Sequence, residues 1–139
     1  MTAPQPLLLD TCVILFLSTA TQLNPETVDL LDNAARAGDL IVSPISALEI
    51  GMATARNRLA LTHDPLTYFN LFIEKSGATL CNMNADVLVA SSFLPGQFHK
   101  DPMDRILVST ARHNNFTLIT SDRAILAYGK AGHVKTLAC

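Results

Sequence analysis

The sequence predicts a single α/β domain on a central, mainly parallel sheet, and three observations predict it. Short apolar runs alternate with amphipathic helical stretches along the chain, Pro, Gly and Asp/Asn/Ser residues punctuate the boundaries, and 139 residues is the usual size of one domain. No internal repeat or low-complexity segment interrupts the alternation, so residues 1–139 are expected to fold as one unit.

The elements follow in order. "PLLLD" reads as a buried strand ending at Asp10, and "TCVILFLS" as the short helix after it. "NPETVDLLDNAARAGD" is an amphipathic helix with Asn24 as N-cap, Pro25 at the first helical position, a stripe through Val28, Leu31 and Ala35, and Gly38 as its stop. "LIVS" is a second strand. Ser43 and Pro44 open a helix that the pattern carries to Ala60, and Asp64 and Pro65 open the helix "LTYFNLFIEKSG". "ATLCNM" reads as a short strand, residues 85–93 as a helix, and "LPGQFHK" as the loop leading to a helix over Met103–Asn114. "NFTLITSD" is a strand ending at Ser121 and Asp122, "RAILAYG" a short helix, and "VKTLA" a last weak strand.

Composition excludes several functions. The formal charge is −2 with no long run of either sign, so the chain carries neither a basic nucleic-acid tail nor an acidic solvating one. Cys12, Cys81 and Cys139 are odd in number and lack metal-site spacing, which argues for reduced thiols in a cell rather than a disulfide framework or a zinc site. The apolar stretch "PLLLDTCVILFLSTA" has no basic n-region, contains Asp10 and is too short to span a bilayer, so a cytoplasmic protein is expected. Nearly half the residues are apolar and 16% charged, which points to a dimer or a bound partner.

Four of the twelve acids sit in apolar surroundings or at strand ends: Asp10 in "LLLDTCVIL", Glu49 in "SALEIG", Asp104 in "MDRILV" and Asp122 after "TLITS". Asp104 shares a helix face with Val108 and Ala111, while the polar stripe runs through Arg105, Ser109 and Arg112; Glu49 falls beside Ile45, Leu48 and Met52. Each has a local alternative. Asp10 and Asp122 can be N-caps, Glu49 can close a capping box with Ser46, and Asp104 can do so with an Asp101 N-cap. Those roles do not explain why the four fall where a parallel α/β domain gathers its ligands.

If they converge, like charges about 4 Å apart at an effective dielectric near 20 repel by roughly 4 kcal/mol per pair, so a cation is required. An all-oxygen set suits Mg²⁺ or Mn²⁺, one ion or two. Without these four carboxylates the formal charge becomes +2, a mildly basic surface on which Lys100, Arg105, Arg123 and Lys130 are candidates for phosphate contacts. His63 and His113 read as turn or helix-end residues, and the scattered placement of the four histidines argues against metal ligation; His99, in the loop before the acidic helix, is placed to assist substrate binding or to be simply solvated, and the solvated reading is favoured.

"LLLDT", "SALEIG", "DPMDRILVSTA" and "LITSD", in that order, resemble a PIN-domain ribonuclease, specifically a VapC-type toxin of a bacterial type II toxin–antitoxin pair. The resemblance implies a PIN-like three-layer fold, with Asp10, Glu49, Asp104 and Asp122 as a catalytic, metal-holding quartet and Thr11 and Ser121 as supporting hydroxyls. Asp101 is read mainly as the N-cap before Pro102, with a supporting outer role. The resemblance also implies hydrolysis of RNA phosphodiester bonds by a metal-activated water, a homodimer and a cognate antitoxin. Two other readings stay open: a metal-free PIN-like interaction module that uses the acids as caps, and an aspartyl-phosphate receiver-type domain. The second lacks the other acid of a D-x-D motif at "DTC" and a convincing Lys after a late strand.

Overall fold

The computed structural model describes residues 6–19 and 23–139; the first five residues of the expected domain, and Ala20 at the end of its apolar stretch, lie outside the described residues. Five parallel strands, β1 (Leu7–Leu9), β2 (Leu40–Val42), β3 (Thr79–Leu80), β4 (Thr117–Thr120) and β5 (Lys135–Ala138), make one sheet in the order β3-β2-β1-β4-β5. Seven helices connect them: α1 (Thr11–Ser18), α2 (Pro25–Ala37), α3 (Pro44–Ala55), α4 (Pro65–Ser76), α5 (Ala85–Ala90), α6 (Pro102–Asn114) and α7 (Arg123–Lys130).

Burial on both faces explains why β1 is unbroken leucine rather than an alternating strand. Leu7 and Leu9 join Ile119 in a core with Val13, Ile14, Leu31, Phe69 and Phe72 on one side of the sheet. Leu8 and Leu118 point the other way, onto Leu107, Val108, Ala111, Ile125 and Tyr128. Two helical layers thus sandwich the sheet, as expected of a PIN-like arrangement. The chain fills one half of the sheet from β1 to β3 and then crosses to β4 and β5. The order therefore reverses between β1 and β4, the switch point at which parallel α/β sheets place ligand sites, beyond the carboxyl ends of the strands.

The caps fall where the residue types require them. Asn24, Ser43, Asp64, Asp101 and Asp122 each accept a hydrogen bond from a backbone N–H in the first turn of the helix that follows. Three details differ from the sequence reading. α3 ends at Ala55 rather than Ala60, because Asn57 adopts a left-handed φ of 56° and the Arg58 N–H turns back to the Ala53 carbonyl at 2.8 Å. α5 stops at Ala90, short of Phe93. The Ser91 carbonyl would need an N–H at position 95, which is Pro95, and the Arg105 Nε takes that carbonyl instead at 2.8 Å. Ser109, placed in the polar stripe of α6, is buried and donates to the Val87 carbonyl at 2.7 Å, which joins α6 to α5.

Candidate active site

The site at the switch point between β1 and β4 is built from residues that leave the strands and start helices. Asp10 follows β1, is only 6% exposed, and has both oxygens engaged. Oδ1 accepts from the Thr11 N–H at 2.7 Å, and Oδ2 from the Thr120 hydroxyl at 2.6 Å. Burial raises the Asp10 pKa and the charge of Asp122 adds to the rise, while the bonds from Thr120, Thr11 and Cys12 offset part of it. The Thr120 hydroxyl also accepts from the Asp122 N–H at 2.9 Å, so one residue at the end of β4 ties the two strand-end acids together. Asp122 caps α7 through Oδ1, which accepts from the Ala124 and Ile125 N–H groups at 2.8 and 3.0 Å.

Glu49 comes from the side, on α3. The capping box with Ser46 does not form: Ser43 is the N-cap, and the Thr11 hydroxyl lies 2.7 Å from Glu49 Oε1 and 2.9 Å from Ser46 Oγ. Thr11 thereby touches both β1-end and α3 members of the group. Burial raises the Glu49 pKa too, offset by the Thr11 bond and reinforced by the charges of Asp10 and Asp101.

Asp104 sits in the first turn of α6, where its carboxylate has left the capping box expected with Asp101. Asp101 alone caps α6, accepting from the Met103 N–H at 2.9 Å. The Asp104 side chain is 14% exposed, and its pKa is raised to about 7 by burial and then by the charges of Asp10, Asp101, Asp122 and Glu49. Among the described residues no Lys or Arg lies within salt-bridge distance of a carboxylate; the basic side chains that do are His99, beside Asp104, and His113, beside Asp86.

His99 stays about a third exposed, as a solvated loop residue would, but its ring also meets the acids. Its Nε2 lies 3.2 Å from Asp104 Oδ2, and one ligand atom each of His99, Asp104 and Asp122 fall within 4.8 Å of one another. Geometry alone would make His99 a metal ligand. Its other nitrogen argues otherwise: Nδ1 accepts from the Asp101 N–H at 3.2 Å, so the proton of the neutral ring sits on Nε2 and faces the carboxylate. His99 thus orients Asp104, whose carboxylate and that of Asp122 come within reach of a common ion, while Asp10 and Glu49 fall outside that close cluster and act on Asp104 through their charge.

The loop that carries His99 is held rather than free. Arg105 spends its guanidinium on the carbonyls of Ser91, Phe98 and His99, at 2.8, 3.1 and 3.1 Å, which removes it from the phosphate candidates. The Tyr128 hydroxyl donates to the Pro95 carbonyl, and the rings of His99, Phe98, Tyr128 and His133 stack in a row with centroids 4.3, 4.7 and 4.6 Å apart. Arg105→Met is expected to cost about 2 kcal/mol, since bonds from a charged donor are lost from a half-buried latch. Amide hydrogen exchange across residues 91–99 should quicken; unchanged exchange there would show that the latch is dispensable.

Sequence reasoning missed Thr120 and His99. For the first, strand alternation held a signal, since Thr120 lies on the Leu118 side of β4 at its end; Ser121, favoured instead, is exposed and lies 3.4 Å from Cys12 Sγ. For His99 the signal was its place in the loop just before the acidic helix, but its contact with Asp104 depends on how that loop folds.

A parallel α/β sandwich with carboxylates crowded at its switch point defines the class. Residues 7–131 match the family model described as PIN domain, and the chain belongs to the PIN family. Similar folds occur in VapBC2 from Rickettsia felis bound to a DNA fragment from their promoter, with 14% identity, a TM-score of 0.71 and 96% and 98% of the two chains covered. DNA-bound VapBC from Salmonella typhimurium matches at 10% identity and 0.68, covering 97% and 98%, and FitAcB from Neisseria gonorrhoeae at 18% and 0.57, covering 94% and 96%. No curated protein matches the chain. Among the described residues no helix is long and apolar enough to cross a membrane.

Proposed function

We propose that this PIN domain is a divalent-metal-dependent endoribonuclease that acts as the VapC-type toxin of a toxin–antitoxin pair. The observation that carries the reading is the gathering of Asp10, Glu49, Asp104 and Asp122, from four separate segments, with no Lys or Arg paired to any of them. Crowding of this kind disfavours the fully ionised set, so a proton or a cation must share the charge, and near pH 8 that share falls to a cation.

The residues present fit Mg²⁺ or Mn²⁺: an all-carboxylate set, partly buried and electrostatically overloaded. Asp104 and Asp122 would hold the ion, with Asp10 and Glu49 completing the anionic wall. When bound, such an ion neutralises phosphate charge and activates water for attack on phosphorus. Thr120 and Thr11 fix the directions of Asp10 and Glu49, and His99 fixes Asp104, so little reorganisation is needed when an RNA phosphate enters. The antitoxin belongs to the same proposal, supported by the likeness to VapBC and FitAcB structures, and so does the homodimer, supported by a composition that is nearly half apolar.

Purified protein should generate defined RNA ends with Mn²⁺ and none with EDTA, read by sequencing those ends. Identical ends in EDTA would remove the metal from the account. A metal-free interaction module is the second reading, since Asp10, Asp101 and Asp122 do serve as caps of the helices that follow them. The receiver reading gains no support: both oxygens of Asp10 are occupied and buried.

A further inference from the structure

At the other ends of α6 and α7 from Asp104 and Asp122, a cleft of about 800 Å³ opens where those helices end and β4 and β5 begin. Arg112, Lys130, His133 and Lys135 line it, and no carboxylate does. We propose that this cleft is a second, cationic binding site that grips the phosphates of the substrate RNA strand away from the scissile bond. The proposal rests on the ribonuclease reading above.

Three elements bring Arg112, Lys130 and Lys135 together, and the packing fixes them there. Gly129 lets α7 close onto the edge strand β5, because a Cβ at that position would collide with the Thr136 side chain. That approach sets Lys130 beside the start of β5, where Lys135 pairs in register with Thr117. Lys135 Nζ is held by Asn115 Oδ1 at 2.9 Å, and the Arg112 guanidinium donates to the His133 carbonyl. Both partners are neutral, so the positive charge is uncompensated, and among the described residues no Lys or Arg is ion-paired with a carboxylate. Cations at the last turns of α6 and α7 also complement the helix carbonyl ends, but that role explains neither Lys135 nor the absence of acids around a cavity.

The placement suits a strand that also reaches the acidic site. Arg112 lies eight residues along α6 from Asp104, and Lys130 eight along α7 from Asp122. At 1.5 Å per residue each separation is roughly 12 Å along its helix, a span of a few nucleotides. One domain can then hold a strand by its backbone at one end and present a phosphate to the acids at the other, a division between positioning and chemistry.

The test is fluorescence anisotropy of labelled oligouridylate in EDTA, titrated at several salt concentrations. Lys130→Ala/Lys135→Ala should bind at least about fivefold more weakly, and its slope of log K against log salt should flatten by about 1.4, at about 0.7 per lost phosphate contact. Arg36→Ala, which removes a charge outside the cleft, should leave the slope unchanged. Equal effects from the double variant and Arg36→Ala, no effect from either, or no binding by the wild-type chain would overturn the cleft. Lysine-dependent binding of duplex DNA but not of RNA would overturn the RNA assignment. Lysine-dependent RNA binding without any Mn²⁺-dependent cleavage would support the cleft and defeat the nuclease reading alone.

Discussion

Asp104→Asn is expected to reduce metal-dependent RNA cleavage by at least about 10³-fold while raising the melting temperature of the metal-free protein above pH 7. The first effect follows because a missing carboxylate weakens the hold on a cation whose neutralisation of developing charge is worth several kcal/mol. The second follows because Asp104 is buried among four other acids and no Lys or Arg, so its charge opposes folding. Asn is nearly the same shape and removes that charge. A capping role predicts the reverse pairing, a variant that melts earlier and still cleaves. Cleavage rates and calorimetric melting on the same preparation separate the two.

Metal removal should have the next largest effect, and its pH dependence has a fixed sign. The pKa of Asp104 is raised from 3.8 to about 7 on folding. Between those values the native state holds a proton that the unfolded chain has released, so the stability contributed by the protonated group is complete below pH 3.8 and is lost as pH rises through about 7. Asp10 and Glu49, also raised by burial, add slopes of the same sign. The metal-free protein should therefore melt progressively lower from pH 5 to pH 8. Mn²⁺ at a hundred times its Kd should add about 2.7 kcal/mol near pH 8, a rise of roughly 8 °C, and much less near pH 5, where a proton must leave first. A metal-induced rise of equal size at both pH values would count against the acidic site.

Much of this was legible in the sequence, because the signals were local. Asn24–Pro25, Ser43–Pro44, Asp64–Pro65 and Asp101–Pro102 each pair a side-chain acceptor with a residue that needs no N–H partner, and each starts a helix. The three leucines of β1 announced a strand buried on both faces. The failures were long-range. A capping box for Glu49 stayed open beside its place in the quartet until Thr11, 38 positions away, took its oxygen. Arg105 looked free until the carbonyls of the preceding loop claimed it, and Ser109 looked exposed until α5 packed over it. The quartet stood out because acids in apolar runs are costly wherever they lie, whereas His99 and Thr120 acquire their roles only through neighbours that the fold supplies.

The most direct measurement is calorimetric titration of Mn²⁺ into the wild-type chain and into Asp104→Asn at pH 7, in buffers of different ionisation enthalpy. The account predicts saturable binding to the wild type accompanied by proton release to the buffer, and in the variant a much weaker isotherm without that release. Absence of binding to the wild type, or the same isotherm in both proteins, would contradict the claim that these carboxylates form a cation site.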